Sequence, residues 1–282
     1  MRSLPLSSSE FDSSRAAEAR LAAEFAGGRT ILRRQHVGYP FHVTRGFYLD
    51  SEQPALLTLY LQSASGGLYA GDRLTLEVAV GPNAALHLTT QAATVVHDGQ
   101  NGVSEQRLRI AVGSGAFCAI SSDPYVLFPG ADLKLDTVAI VPDDAVLLLI
   151  DGLAVHDPRR SGRSFAQFLS RQRVLRPDGR LLLQDCGRIA GDQLRAGPFG
   201  TMGATATALL IAPPNRLPGV QPLTQTLDRC GCLAGASSAP NEAGLVMRIL
   251  ARDGGALARG IEAAFHVGGR AALGTELARR RK

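Results

Sequence analysis

Apolar and polar residues alternate along several short segments of this chain, and the segments end in tight turns rich in glycine, proline and asparagine. Two pairs of such segments are Leu74–Val80 with Leu86–Thr90, and Leu108–Val112 with Phe117–Ser121. Alternation with a period of two is typical of β-strands that bury one face. The pattern therefore predicts a mainly β protein in which successive strands pair as antiparallel hairpins.

Two further hairpins are predicted near the ends of this β region. The segment Ala17–Phe25 alternates up to a Gly-Gly pair, after which a second apolar segment begins at Thr30. Later, Arg173–Leu175 and Leu181–Gln184 flank a Pro-Asp-Gly turn. Such turn residues supply the backbone conformations that a reversal of the chain requires.

The end of the chain has a different periodicity. Leu257, Ile261, Ala264 and Phe265 recur at helical spacing, which predicts a helix docked on the sheet. We expect a disordered, serine-rich lead over residues 1–15, one β domain over residues 16–276, and a solvated basic tail over residues 277–282.

Composition limits the cellular setting. With 282 residues, 45% of them hydrophobic, the chain can bury a sizeable core. No apolar run is long enough to cross a bilayer and no signal peptide precedes the domain, so we expect a cytoplasmic protein without a membrane partner. The net charge of +5 comes without tryptophan or a stacking pattern, which disfavours nucleic acid as a partner.

A glycine-rich turn, Ser65–Asp72, is the strongest candidate for a functional site. It carries Gly66, Gly67 and Gly71 and ends in Asp72, a carboxylate at the start of a strand. A phosphate loop requires a helix after the glycines, whereas here a strand follows. The turn therefore has either a structural role with a solvated aspartate or a role specific to this kind of protein.

Other reactive residues do not form a recognisable active site or a permanent metal site. The six histidines are scattered, and no serine lies in a Gly-x-Ser-x-Gly motif. Cys230 and Cys232 have no further cysteine or histidine nearby to complete a tetrahedral site, although transient metal binding by this pair stays open. These observations favour a scaffold or binding protein over an enzyme.

An ordered set of segments resembles the UreD family of urease accessory proteins, also called UreH. The resemblance extends from about Ala16 to about Gly274. The matching blocks are Gln35–Gly38, Val43–Tyr48, Ser65–Asp72, Leu88–Thr94, Ser122–Ala131 and Gly244–Ala251.

The resemblance implies a fold and a function. Members of this family form an elongated, two-layer β structure of helical-β character with a few helices. They bind the urease apoprotein and a helical partner, UreF, which recruits the nickel-carrying GTPase UreG. Nickel is the transient cargo, and no permanent cofactor is implied. An internal passage of weak oxygen ligands suits such transfer, because a strong ligand cage would retain the ion.

The resemblance also assigns roles to individual residues. It implies that Asp72 and Thr94 line the nickel passage, while Gly66, Gly67 and Gly71 shape the turn. His36 and Arg45 match family positions, with either a functional or a structural role.

This chain departs from the family pattern at several positions. Val95–Asp98 replaces a basic and aromatic stretch, which indicates a divergent member. Two alternatives therefore stay open. One is a β-rich enzyme that binds an anionic or metal-bound substrate at the 65–72 turn, and the other is an interaction scaffold that no longer serves urease.

Overall fold

A computed structural model describes residues 15–100, 102–196 and 200–280. These residues form a mainly β structure. The strands are β1 (Ala16–Ala26), β2 (Arg29–Val37), β3 (Phe41–Val43), β4 (Leu56–Ser63), β5 (Arg73–Val80), β6 (Ala85–Thr90), β7 (Val95–Val96), β8 (Ser104–Val112), β9 (Phe117–Ser121), β10 (Tyr125–Leu127), β11 (Asp132–Ile140), β12 (Val146–Val155), β13 (Gln167–Leu175), β14 (Leu181–Ala190), β15 (Ala204–Ile211), β16 (Leu233–Ser238) and β17 (Gly244–Ala251). The helices are α1 (Gly191–Ala196), α2 (Val220–Arg229) and α3 (Gly254–Leu273).

The strands form two sheets. The seven-stranded sheet has the order β14-β13-β11-β8-β5-β1-β2, and the main path of the ten-stranded sheet has the order β16-β17-β15-β12-β9-β6-β4-β3. From β4 to β13 the chain moves repeatedly from one sheet to the other, so that each turn of the coil lies on the previous one. The expected mainly β, two-layer, helical-β fold with a C-terminal helix is confirmed.

The expected antiparallel pairing of successive strands is wrong in this central coil. Strands β5 and β6 lie in different sheets, and so do β8 and β9. Strand β5 instead pairs in parallel with β1 and β8, while β6 pairs in parallel with β4 and β9. The predicted hairpins β1–β2 and β13–β14 are antiparallel, as expected.

Tight turns at one edge of the coil explain the difference. A buried alanine ends each of three turns between the sheets, at Ala84, Ala116 and Ala145. The turns also bond to one another: Asn83 N donates to Ser114 O at 2.9 Å, and Ser114 Oγ donates to Asp144 Oδ2 at 2.5 Å. Each turn is therefore a corner of a stacked coil.

Two hydrophobic clusters hold the layers together. The first lies between the sheets and includes Leu59, Leu88 and Leu149. The second lies between the ten-stranded sheet and the helices, where α3 buries Leu257, Ile261, Ala264 and Phe265 as its spacing predicted. None of the helices in the described ranges combines the length and apolar character that a membrane span needs.

The predicted lead and the predicted tail lie only partly within the described residues. Residues 1–14 of the predicted lead and residues 281–282 of the predicted tail lie outside the described residues. Where the sequence predicted a solvated tail, Leu277 is buried, and Arg280 Nη1 donates to Thr89 Oγ1 and to Ser121 O. The tail up to Arg280 therefore packs on the ten-stranded sheet, because buried oxygens of that sheet accept hydrogen bonds from the Arg280 guanidinium.

Candidate functional site

The glycine turn has a backbone conformation that its glycines require. Gly66, Gly67 and Gly71 have φ angles of 75°, 135° and 79°, in the region that side chains disfavour. A Cβ atom on Gly67 would lie 2.3 Å from Val95 O, because the turn packs directly on β7. Leu68 N donates to the same Val95 oxygen at 2.8 Å. The predicted structural role of these glycines therefore has a geometric basis.

Asp72 closes the turn from inside. It is 0% exposed, and Arg15 Nε donates to its Oδ1 at 2.8 Å while Arg15 Nη2 pairs with its Oδ2. Tyr69 N donates to Asp72 Oδ2 at 2.8 Å, which fastens the carboxylate across the turn. Through its hydrogen bond, Asp72 raises the pKa of Arg15. The carboxylate is thus bound by a guanidinium and an amide instead of facing solvent.

The same turn is poorly suited to bind an anionic substrate. Four of its amides already donate: Leu68 N to Val95 O, Tyr69 N to Asp72 Oδ2, Gly71 N to Val103 O, and Asp72 N to Tyr69 O. A phosphate cradle needs several amides that point together into an open space. The engaged amides therefore give no support to an enzyme built on this turn.

Thr94 and two of the glycines border an open depression of about 670 Å³. Gly66 and Gly67 form one side of it, and the loop from Gln91 to Thr94 forms another. Thr94 is half-buried, and its carbonyl oxygen accepts from Val126 N at 2.9 Å. The structure thus brings Thr94 and the glycine turn together at one surface opening.

Two smaller cavities continue from this opening into the space between the sheets. A cavity of about 30 Å³ shares Leu61 and Thr94 with the open depression. A deeper cavity of about 40 Å³ shares Leu61, Gln106 and Tyr125 with the second one. Each is large enough for a water molecule. The three cavities form an interrupted path from the surface to the interior, and Asp72 is not among the described residues that line it.

Polar side chains cluster at the deep end of this path. We call this cluster the polar seam; its members are Gln106, Tyr125, Asp151, Ser170 and Gln172. Tyr125 Oη donates to Gln106 Oε1 at 2.7 Å. Ser170 Oγ and Gln172 Nε2 each donate to Asp151 Oδ2 at 2.6 Å. These are oxygen and amide groups, which bind late transition metals less strongly than thiolates do.

Asp151 contributes the carboxylate of the polar seam, and Asp123 is a second carboxylate that lines the same cavity. Burial raises the pKa of Asp151, and the hydrogen bonds from Ser170 and Gln172 oppose that shift. The charge of Asp151 in turn helps to raise the pKa of Tyr125, after the larger effect of burial. A cation that entered the seam would interact favourably with this half-buried carboxylate.

The residues that depart from the family pattern pack beside the opening. The His97 ring stacks on Tyr69 with centroids 4.3 Å apart and meets Phe128 edge-on at 5.5 Å. Asp98 pairs with Arg163 at 3.1 Å, and its pKa is lowered, chiefly because Gln100 N donates to it. In this chain His97 therefore packs against the glycine turn, with its Nε2 3.2 Å from Gly66 O, while Asp98 is engaged by Arg163.

The remaining candidates lie elsewhere. His36 is exposed on the outer face of the seven-stranded sheet, and exposed Arg45 has its guanidinium carbon 5.5 Å from the Phe47 ring centroid. Cys232 is buried next to α3, where its Sγ donates to Ala256 O at 3.5 Å. Across the described ranges, no three His, Cys, Asp or Glu side chains converge as a metal site.

Neither Arg15 nor the polar seam was predicted from the sequence. Arg15 fell within the predicted disordered lead, yet the structure fixes its side chain on Asp72. Ser170 and Gln172 occupy inward positions of β13 between the apolar residues Phe168 and Val174. Polar residues at inward positions of an alternating strand are the signal from which the seam was predictable.

Together, the two-sheet coil and its stacked corners define a β-solenoid-like protein, with a closed glycine turn beside a surface opening and small cavities between the sheets. The family model described as "UreD urease accessory protein" matches residues 15–282. Urease accessory protein UreD 3 of Bradyrhizobium sp. (strain ORS 278) is 64% identical over the full length of both chains. Urease accessory protein UreD 1 of Methylorubrum populi is 44% identical over 95% of this chain and 92% of its own.

The chain therefore belongs to the UreD family of urease accessory proteins. This membership confirms the resemblance found in the sequence and supports a role in urease maturation.

Proposed function

We propose that this protein is a non-catalytic maturation scaffold that binds the urease apoprotein and a UreF–UreG complex and gives nickel a protected route to the nascent urease site. Family membership supports the maturation role. The observation that carries the nickel route is the series of three cavities that share lining residues and end at Asp151. The proposed role is cytoplasmic, with nickel as cargo and no permanent cofactor.

The chemistry of the path suits transfer better than storage. Thr94 stands at the opening and Asp151 at the deep end, with Gln106 and the Tyr125 hydroxyl between them. Single oxygen ligands exchange readily with water, so an ion passes from one to the next without being trapped. Asp151 provides the attraction that draws a divalent cation inward.

Asp72 has a different part in this proposal from the one that the sequence suggested. Its carboxylate is bound to Arg15 and Tyr69 N, so the proposal gives it the task of holding Gly66 and Gly67 at the rim of the opening. Thr94 keeps its predicted part as an oxygen donor on the path.

The decisive variant for this proposal is Asp151→Asn. Asparagine keeps the shape and still accepts from Ser170 and Gln172, but it removes the charge. The chain would be co-expressed with the urease subunits and the other accessory proteins of its host, and the nickel content of purified urease would be measured. We expect unchanged co-purification and a lower nickel content.

Asp143→Asn is the matched control, because Asp143 is 83% exposed in a surface turn. It should leave both readouts unchanged. Urease that is fully loaded with nickel in the presence of Asp151→Asn would contradict the proposed route, even if the scaffold role held.

A further inference from the structure

The two sheets differ in what covers their outer faces. Helices α2 and α3 cover the ten-stranded sheet, whereas no described helix packs on the outer face of the seven-stranded sheet. The central strands of that sheet, β13-β11-β8-β5-β1, run parallel to one another. Parallel sheets are usually covered on both faces. The outer face of the seven-stranded sheet is therefore an available surface for a partner.

One half of this face is strongly basic. Strands β8, β11 and β13 carry five cations in adjacent register positions around a depression of about 250 Å³. We call this set the basic patch: Arg107, Arg109, Lys134, Arg171 and Arg173.

Two carboxylates do not neutralise the basic patch. Asp136 lies 2.7 Å from Arg109 and 3.4 Å from Arg173, so it serves two guanidinium groups at once. Glu105 is shared in the same way, at 3.1 Å from Arg107 and 3.2 Å from Lys134. Because each acid is divided between two cations, the patch keeps an excess of positive charge that attracts an acidic partner.

The other half of the face has a row of small and apolar side chains at its centre. Ala22, Ala79, Ala111 and Ile140 occupy adjacent positions across four strands, and Val138 lies beside them. Ile140 is 43% exposed, and the hollow over these residues measures about 580 Å³. We call this row the alanine shelf. Small side chains allow a partner backbone to approach closely.

The ten-stranded sheet shows how a helix packs on such a row of alanines. On the ten-stranded sheet, Ala119, Ala206 and Ala208 lie in the cluster that α3 covers with Leu257 and Ile261. A helix about 10 Å wide spans the distance between two or three strands. The alanine shelf offers the same surface without its helix.

We propose that the alanine shelf and the basic patch together dock an amphipathic helix of a maturation partner, with an apolar stripe on the shelf and aspartate or glutamate residues over the patch. The proposal rests on the proposed maturation role. The face measures about 29 Å across its seven strands and about 26 Å along them.

The proposal also gives His36 a position. His36 borders the alanine shelf together with Arg20 and Arg34. This family position therefore lies on the rim of the docking face and apart from the nickel path.

A designed peptide tests the chemistry of the face directly. The probe is a fluorescent helix of about 18 residues with a leucine stripe flanked by glutamates, and its counterpart has lysines in place of the glutamates. Binding to the full chain is measured by anisotropy at two salt concentrations. We expect the glutamate peptide alone to bind, more weakly at high salt because exposed charges are screened.

Three variants separate charge from shape. Lys134→Glu with Arg171→Glu reverses charge in the basic patch and should weaken binding about tenfold or more. Ala111→Arg adds positive charge but fills the shelf, so it should also weaken binding. The control, Arg229→Glu with Arg252→Glu, makes the same change in charge at exposed positions outside this face and should have little effect. Equal binding of both peptides, or equal loss in the control, would overturn the proposal.

Co-purification separates failure of this inference from failure of the proposed function. If the wild-type chain retains the maturation proteins of its host and the Lys134/Arg171 variant retains them equally, the docking face is refuted and the scaffold role stands. If the wild-type chain retains none of them although the peptide results hold, the maturation role fails and the chemistry of the face stands.

Discussion

Asp72→Asn tests whether the Arg15–Asp72 pair holds the glycine turn in place. The asparagine keeps an oxygen for Tyr69 N but removes the charge that binds Arg15. Breaking a buried ion pair costs about 3–5 kcal/mol. Arg15 is 25% exposed, so water partly solvates it, and we expect a loss of about 2–3 kcal/mol.

For a chain of this size, that loss corresponds to a decrease in Tm of about 5–10 °C. Thermal unfolding of the wild type, Asp72→Asn, Arg15→Gln and the double variant gives the coupling energy directly. Asp143→Asn is the control, since Asp143 is 83% exposed and water screens its ion pair with Arg176, which therefore contributes at most about 1 kcal/mol. A coupling energy near zero, or a Tm of Asp72→Asn within about 1 °C of the wild type, would refute the reasoning.

Three further results are expected. Gly67→Ala should cost about 3 kcal/mol in urea unfolding, because its Cβ would lie 2.3 Å from a carbonyl oxygen of β7 at a φ of +135°. Burial lowers the pKa of His87 well below 6.5. Below about pH 6.5 the His87 imidazole is therefore protonated in the unfolded chain but stays neutral in the folded chain. The free energy of unfolding should fall by about 1.4 kcal/mol per pH unit in that range. Unfolding at pH 7.5, 6.5 and 5.5 should show this slope in the wild type and in exposed His42→Gln but not in His87→Gln. Arg280→Ala should cost about 1–2 kcal/mol by removing its hydrogen bonds to Thr89 Oγ1 and Ser121 O, while exposed Arg279→Ala should leave the Tm unchanged.

Local signals predicted local structure well. The alternation of Ala17–Phe25 predicted β1, the Pro-Asp-Gly turn predicted the β13–β14 hairpin, and the spacing of Leu257 and Ile261 predicted α3. In each case the deciding interactions lie within a few residues along the chain. The family resemblance added the two-layer, helical-β architecture, which the alternation alone does not specify.

Parallel pairing was not predictable from alternation. A strand with a period of two buries one face whether its successor lies beside it or in the opposite sheet. The turn Gly81–Ala84 serves either arrangement, and only the stacked corners at Ala84, Ala116 and Ala145 select the coil. A buried alanine at the same place in three successive turns was the available signal.

The candidate site was predictable in part. Gly66, Gly67 and Thr94 border one surface opening, whereas Gly71 is not among its lining residues. The partner of Asp72 was not predictable, because Arg15 is separated from it by 57 positions and no local pattern joins them. Asp151 lies in a strand that otherwise reads as apolar, so its contacts with Ser170 and Gln172 needed the fold.

The most direct test of the central claim is the nickel content of urease made with and without this chain. The urease subunits and the remaining accessory proteins of the host would be co-expressed in both cases, and nickel per urease site and ureolysis would be measured on purified enzyme. We expect nickel-loaded, active urease only when the chain is present, with the chain co-purifying with the apoprotein. Equal nickel loading and activity without the chain would contradict it.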